Sequence, residues 1–221
     1  MAKLTQKGQA RYDQILEKAM WFFNDRGYVN STMDEIAQAC KCDVANLYNY
    51  FPGKEHILFG VVKAMVSSAV QMTHDIAADK KLPASERLRN VVYKQLEGRV
   101  NLGFTDLYSK YKSNLEPSHA REIVELRDSY DRLIRGLITE GIKSGEFREI
   151  NVKLAAIAIG AFIERIVIWY SPKGPLSLAE VTDIYCDMAF RGIISIAQTP
   201  AVKSGPAPLV KSSLRITNNK S

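Results

Sequence analysis

The stretch Thr32-Met-Asp-Glu-Ile-Ala-Gln-Ala-Cys-Lys-Cys-Asp-Val-Ala-Asn-Leu-Tyr-Asn-Tyr-Phe-Pro-Gly-Lys-Glu55 decides the fold. Thr32 can accept from the Glu35 backbone N–H while the Glu35 carboxylate reaches back to the Thr32 N–H, a capping box that opens a helix. Ile36, Ala37 and Cys40 then share one face over about two turns. Asp43 is a second start signal, because its side chain suits the N-cap and its charge the positive helix end. That second helix carries Val44, Leu47, Tyr48 and Phe51, and Pro52-Gly53 stops it. Lys41 to Asp43 alone separate the two. Two short helices joined by so tight a turn match a helix-turn-helix, whose second helix enters a DNA major groove.

Outward toward the N-terminus, residues 1 to 9 read as a polar arm, with Lys3, Lys7 and Arg11 open to phosphate contact or to solvent alone. Ile15, Leu16, Ala19, Phe22 and Phe23 recur at helical spacing, and Asn24-Asp25-Arg26-Gly27 ends that helix, giving a three-helix head over residues 1–53. Toward the C-terminus, Ile57, Leu58, Val61, Val62, Met65, Ala69, Val70 and Met72 form a wide stripe on one helix from 54 to 79. At 1.5 Å per residue it spans about 39 Å, enough to tie the head to a second body. Further helices are expected from Ser85 to Leu102, from Gly103 to Leu115, from Ser118 to Ser144, from Val152 to Tyr170 and from Ser177 to Ala197. No useful strand alternation interrupts them, so the fold class is all-α, with a larger helical ligand-binding and dimerisation domain over 54–198. Residues 199–221, with Pro200, Gly205, Pro206 and Pro208 among Ser, Lys and Asn, read as a disordered basic tail.

Composition sets limits. Apolar residues make up 46% and charged residues 24% of the chain, ordinary for a folded soluble protein. The net charge of +6 favours anionic partners, but residues 1 to 60 hold seven Lys/Arg against seven Asp/Glu, so the basic excess is not the argument for DNA. Cys40, Cys42 and Cys186 suggest a reduced, cytoplasmic setting rather than a disulfide framework. Cys40-Lys41-Cys42 lacks the further ligands of a metal site, so no metal is expected. Leu154 to Tyr170 is the most apolar stretch, but Glu164-Arg165 interrupts it and it falls short of a bilayer's needs, so no membrane partner is expected. No Gly-rich phosphate loop or His-Glu-x-x-His is present, and His56, His74 and His119 lie far apart in sequence, which argues against an enzyme.

Thr32-Met-Asp-Glu-Ile-Ala followed by Leu47-Tyr-Asn-Tyr-Phe-Pro-Gly-Lys-Glu55 resembles the DNA-binding signature of the TetR family of bacterial transcriptional regulators, over about residues 10 to 60. Carried onto this chain, the resemblance implies DNA-binding residues Thr32, Val44, Ala45, Asn46, Tyr48, Asn49, Tyr50 and Lys54. Asn46, Asn49 and Tyr50 would face base edges, and Thr32, Tyr48 and Lys54 phosphates. The family usually has glycine where Lys41 stands, so a non-glycine residue is expected in a left-handed conformation there.

The helix from Val152 is apolar nearly all round, and the last helix, with Val181, Ile184, Tyr185, Met188 and Ile193, is similarly wide. Each needs cover on more than one side. Self-pairing into a four-helix bundle supplies it, with Gly160, Ala161 and Gly192 allowing close approach. The resemblance implies the same homodimer through the last two helices, which fits a pseudo-palindromic operator in double-stranded DNA. Gly145-Glu-Phe-Arg148 and Trp169-Tyr-Ser-Pro-Lys-Gly-Pro-Leu-Ser177, with Gly192-Ile193, are similar to a subset of TetR regulators of lipid and acyl-thioester breakdown. That likeness implies an acyl-CoA effector and no cofactor; a drug-like or other apolar molecule is the alternative. Candidates for its cavity are Tyr93, Arg99, Phe104, Tyr108, Tyr111, Phe162, Arg165 and Trp169. Glu164-Arg165 reads as a charged pair inside an apolar helix, needing partners across a dimer interface or on a ligand. The functional expectation is a ligand-released repressor, with activation left open; a helical protein-interaction adaptor explains the apolar faces but not the capped helix-turn-helix.

Overall fold

A computed structural model describes residues 5–102 and 107–193. Among them are nine α-helices and no strand: α1 (Gln6–Asp25), α2 (Met33–Ala39), α3 (Val44–Tyr48), α4 (Lys54–Ala78), α5 (Ala84–Leu102), α6 (Leu107–Tyr111), α7 (Pro117–Lys143), α8 (Val152–Trp169) and α9 (Leu178–Ile193). The all-α expectation holds. The expected tail at 199–221 and Phe104 lie outside the described residues.

Local chemistry sets most helix ends. Thr32 Oγ1 accepts from Glu35 N at 3.2 Å and Glu35 Oε2 accepts from Thr32 N at 2.9 Å, closing the capping box. Asp43 Oδ1 accepts from Asn46 N at 2.7 Å at the head of α3. Lys41 has φ 54°. Around it Cys42 N donates to Ala37 O and Lys41 N to Gln38 O, the paired bonds of a Schellman turn that needs a left-handed residue at this position. The expected arm is shorter than read, because α1 starts at Gln6 with Thr5 accepting from Gly8 N at 3.2 Å. One end depends on distant chain. The first turn of α5 is held by Glu146, whose carboxylate accepts from Ala84 N at 3.1 Å and Ser85 N at 2.9 Å.

Two apolar clusters divide the molecule. The head cluster joins Ile15, Ala19, Phe23, Ile36, Leu47, Phe51, Ile57 and Leu58, all nearly or fully buried. Each of the Ile, Leu and Phe side chains contributes about 1.5–3 kcal/mol of burial. The cluster does not stop at residue 53: Val61 and Val62 of α4, Leu107 and Tyr111 of α6, Leu115 and Ile123 of α7 belong to it. Gly60 permits the closeness, since a Cβ there would meet Leu16 Cδ2 at 2.9 Å and Phe51 Cε1 at 3.3 Å. The second cluster joins Leu88, Val91 and Leu96 of α5, Leu137 and Ile138 of α7, Ile159, Ile163 and Ile166 of α8, and Val181 and Cys186 of α9. Helix α4 runs along both and packs against α1, α5 and α7. By length and composition α4 is apolar enough to cross a membrane, and here Ile57, Leu58, Val61 and Val62 on it are buried in the head cluster.

Candidate functional site

The residues expected at DNA lie on α3 and the turns flanking it. Thr32, Ala45, Tyr48 and Asn49 are exposed, while Val44, Asn46 and Tyr50 are half-buried. Leu47, fully buried, anchors the helix from below. A five-residue helix has little stability of its own, so its orientation is set by that anchor and by the turn before it. The turn is braced by Arg11, whose Nη1 donates to Cys40 O at 2.9 Å and Gln14 Oε1 at 2.6 Å, so this guanidinium supports the motif from α1.

Lys54 departs from the expectation. Its ammonium donates to the carbonyls of Tyr28 at 2.9 Å, Ser31 at 2.8 Å and Val29 at 3.3 Å, and lies 4.5 Å from the Tyr28 ring centroid. An ammonium has three donors, and all three are taken. Lys54 therefore ties the start of α4 to the loop between α1 and α2 in the DNA-free chain. The sequence alone did not show this role, because the acceptors lie more than twenty residues earlier.

Behind the head, α4, α5, α6, α7 and α8 line a half-open cavity of about 680 Å³, a size that suits a small organic ligand. Its apolar wall is Val62, Met65, Val66, Ala69 and Met72 of α4, with Ile157 and Ala161 of α8. Its polar wall is Lys94, Gln95, Arg99, Tyr108, Arg127, Asp128, Tyr130, Asp131 and Glu164. Two buried polar atoms on that wall, Gln95 Nε2 and Arg99 Nε, have no hydrogen-bond partner among the described residues. Leaving such a donor unmet costs about 1–3 kcal/mol each, an expense that a bound polar group would remove. Arg127 stands over the Tyr108 ring at 5.1 Å and its Nη2 is 3.6 Å from Glu164 Oε1. Burial pushes the Tyr130 hydroxyl up to about 12, against the opposing pull of Arg99, so it stays a donor.

Of the eight cavity candidates, the structure brings Arg99 and Tyr108 to the wall. Tyr111 belongs to the head cluster, 5.7 Å from the Tyr28 ring, where its hydroxyl also sits 3.0 Å from the place a Cβ on Gly27 would take. Phe162 and Trp169 pack instead on Tyr185 of α9, at 5.3 and 5.9 Å between ring centres. Arg165 is exposed and Tyr93 is half-buried beside Lys94. Glu164 and Arg165, expected to need partners beyond their own helix, are both exposed in the single chain, where Glu164 lines the cavity and faces Arg127. Arg127, Asp128, Tyr130 and Asp131 were missed because α7 reads as one amphipathic helix, and its polar side shows no sign of facing inward.

Residues 15–61 match the family described as bacterial regulatory proteins, tetR family, and residues 81–193 the one described as Tetracyclin repressor-like, C-terminal domain. The chain is similar to the fatty acid metabolism regulator protein of Bacillus subtilis, 30% identical over 189 residues that cover 83% of this chain and 95% of that protein. Among solved structures it is similar to the transcriptional regulator FadR from Bacillus subtilis in complex with stearoyl-CoA, at 26% identity and TM-score 0.68, covering 82% and 99% of the two chains. It shares the fold of AibR, solved with isovaleryl coenzyme A and operator DNA, at 24% identity and TM-score 0.72, covering 81% and 98%. A helix-turn-helix built on a Schellman turn, a long helix joining it to a helical body with a cavity, and these matches along both parts place the chain in the TetR family of bacterial transcriptional regulators, non-enzymatic proteins that bind DNA.

Proposed function

We propose that the protein is a homodimeric repressor whose grip on its operator is released by an acyl-CoA ester held between α4, α5, α7 and α8. The observation that carries this reading is the two-sided cavity, apolar along α4 and at Ile157 and Ala161 of α8 and polar along α5 and α7 with Glu164 of α8, with Gln95 Nε2 and Arg99 Nε unmet. An acyl chain on the apolar side gains about 0.8 kcal/mol for each buried CH₂. The thioester and phosphate side falls to Lys94, Arg99 and Arg127. The stearoyl-CoA bound by the similar FadR of Bacillus subtilis supports the same class. Because α4 carries both a cavity wall and the floor of the head, a ligand that prefers one position of α4 shifts the head with it.

At the DNA end, Asn46 and Asn49 read base edges, Asn being suited to adenine N6 and N7, with Tyr50 beside them. Thr32 and Tyr48 contact phosphates, and Val44 and Ala45 lie along the same face. Pairing through α8 and α9 sets two heads on a pseudo-palindrome: Leu154, Ile168 and Trp169 of α8 and Ile184 and Met188 of α9 are 46–65% exposed in one chain, an unusual apolar outlay for a free surface. A second reading is favoured by one observation. Asp128, Asp131 and Glu164 balance the three cations of the wall, which suits a neutral or cationic drug-like effector.

Fluorescence anisotropy of the protein on the DNA upstream of its own gene, at fixed salt, separates these readings. Specific binding that is lost on adding one chain-length class of acyl-CoA, and recovered in part by Arg99→Met, supports the thioester. Binding that persists through the whole panel discards the thioester and leaves the drug-like effector.

A further inference from the structure

His56 and His119 lie far apart in sequence, yet the fold brings them together with Glu55 where the first turn of α4 meets the first turn of α7. His119 Nδ1 is 2.8 Å from Glu55 Oε1 and 3.1 Å from Oε2, and His56 Nδ1 is 3.4 Å from Oε2. One ligand atom from each of the three lies within 4.8 Å of the others. The His119 ring is fixed by Phe59, stacked at 3.9 Å, and the two imidazoles meet edge to face at 5.2 Å. Their side chains are 18% (Glu55), 19% (His119) and 31% (His56) exposed, so the cluster is sheltered but reachable from solvent. None of the three lines the effector cavity.

We propose that Glu55, His56 and His119 form a binding site for a divalent transition-metal ion of the Zn²⁺ type, with water in the fourth position. Two imidazoles and one carboxylate are a borderline donor set that suits Zn²⁺, Co²⁺ or Ni²⁺ and disfavours Mg²⁺ and Ca²⁺, which take oxygen shells. Bonds of about 2.0–2.2 Å set tetrahedral neighbours about 3.3–3.5 Å apart, so the closest pair must open slightly and the widest must close, both within reach of side-chain rotation. The Nδ1–H···carboxylate bond of His119 is exchanged for Nδ1–metal–carboxylate, and the imidazole proton is carried on Nε2. No redox change is involved. The ion would join α4, whose next residues Ile57 and Leu58 are in the head core, to α7, whose Ile123 reaches the same core. It therefore clamps head to body at the joint through which an effector must act, as an input separate from the cavity.

The test is a titration of the full-length, chelator-treated protein with Co²⁺, followed by its visible d–d absorption, then displacement by Zn²⁺, with Mg²⁺ as control. One Co²⁺ per chain with a low-coordinate spectrum, displaced by Zn²⁺ and not by Mg²⁺, is expected. His56→Gln and His119→Gln should each weaken binding at least tenfold and shrink the rise in melting temperature that Zn²⁺ gives the parent. His56→Gln leaves the Glu55–His119 contact and the Glu116 N–H bond to Glu55 Oε1 in place, so its metal-free melting temperature should match the parent's and serves as the folding control. Equal Co²⁺ binding by the parent and the His56→Gln/His119→Gln double variant would move the ion to Cys40–Cys42 or His74 and overturn the assignment. Absence of binding at millimolar Co²⁺ overturns it as well, leaving the trio as a polar clasp between two helices.

Discussion

The head and the body spend apolar residues in opposite ways. In the head, Ile15, Phe23, Ile36, Leu47 and Ile57 are all fully buried, and the cationic groups Arg11 and Lys54 are committed to backbone carbonyls. In the body, α8 and α9 leave Leu154, Ile168 and Met188 more than half exposed, while Gln95 and Arg99 carry unmet polar atoms around a cavity. The head is thus a finished object that presents a surface. The body, taken as one chain, is incomplete at two places, an uncovered apolar face and a cavity lined by unmet polar atoms.

The sharpest way to break this contrast is to truncate one residue on each side. Phe51 is 3% exposed and stacks on Tyr12 at 4.7 Å, so Phe51→Ala should cost about 3–5 kcal/mol in urea unfolding. Ile168→Ser, at a side chain 65% exposed, should change the monomer by less than about 0.5 kcal/mol while moving the sedimentation profile from dimer to monomer. An Ile168→Ser protein that stays dimeric would remove α8 from the interface.

Next in size is Lys54→Met. Losing three charge-assisted bonds to the Tyr28, Val29 and Ser31 carbonyls should cost about 1–3 kcal/mol of stability. The dependence of DNA affinity on salt should keep its slope; a slope reduced by about one would show that Lys54 reaches phosphate after all.

A smaller effect tests how the body is clipped. Hydrogen bonds from Arg87 and then Lys80 hold the Glu140 carboxyl down from 4.5 to about 2. A lowered folded value stabilises the protein above the unfolded pKa, and that contribution is lost as pH falls from about 4.5 toward 2. The Glu140 side chain is 40% exposed, so solvent screening reduces the contribution to about 1 kcal/mol. Glu140→Gln should therefore be less stable than the parent at pH 7, and the two unfolding midpoints should converge near pH 2. The smallest effect returns to the head: Lys41→Gly, at φ 54°, should raise stability by a few tenths to about 1 kcal/mol, the relief of left-handed strain being partly offset by the freer unfolded chain.

The legible parts of the chain were those governed by neighbours three or four residues apart. The Thr32–Glu35 box and the Asp43 cap follow from side chains that meet within one turn, so the helix-turn-helix was determined by the sequence alone, whereas the left-handed Lys41 was implied by the resemblance to a family with glycine there. So were the long α4 and the unbalanced apolarity of α8 and α9, since periodicity reveals which faces must be covered. What covers them, and which polar side turns inward, depended on contacts between distant segments. Only the tertiary structure turned Lys54 onto the Tyr28 loop, carried Tyr111 into the head, and placed Glu146 under α5, 62 residues away in sequence for Ala84. Only it faced Arg127, Asp128 and Asp131 of α7 toward a cavity, and only it joined Glu55 to His119 across 64 residues. A helix's own sequence fixes its period and its ends, whereas the rotation and packing of helices are settled by the summed burial of every face against every other.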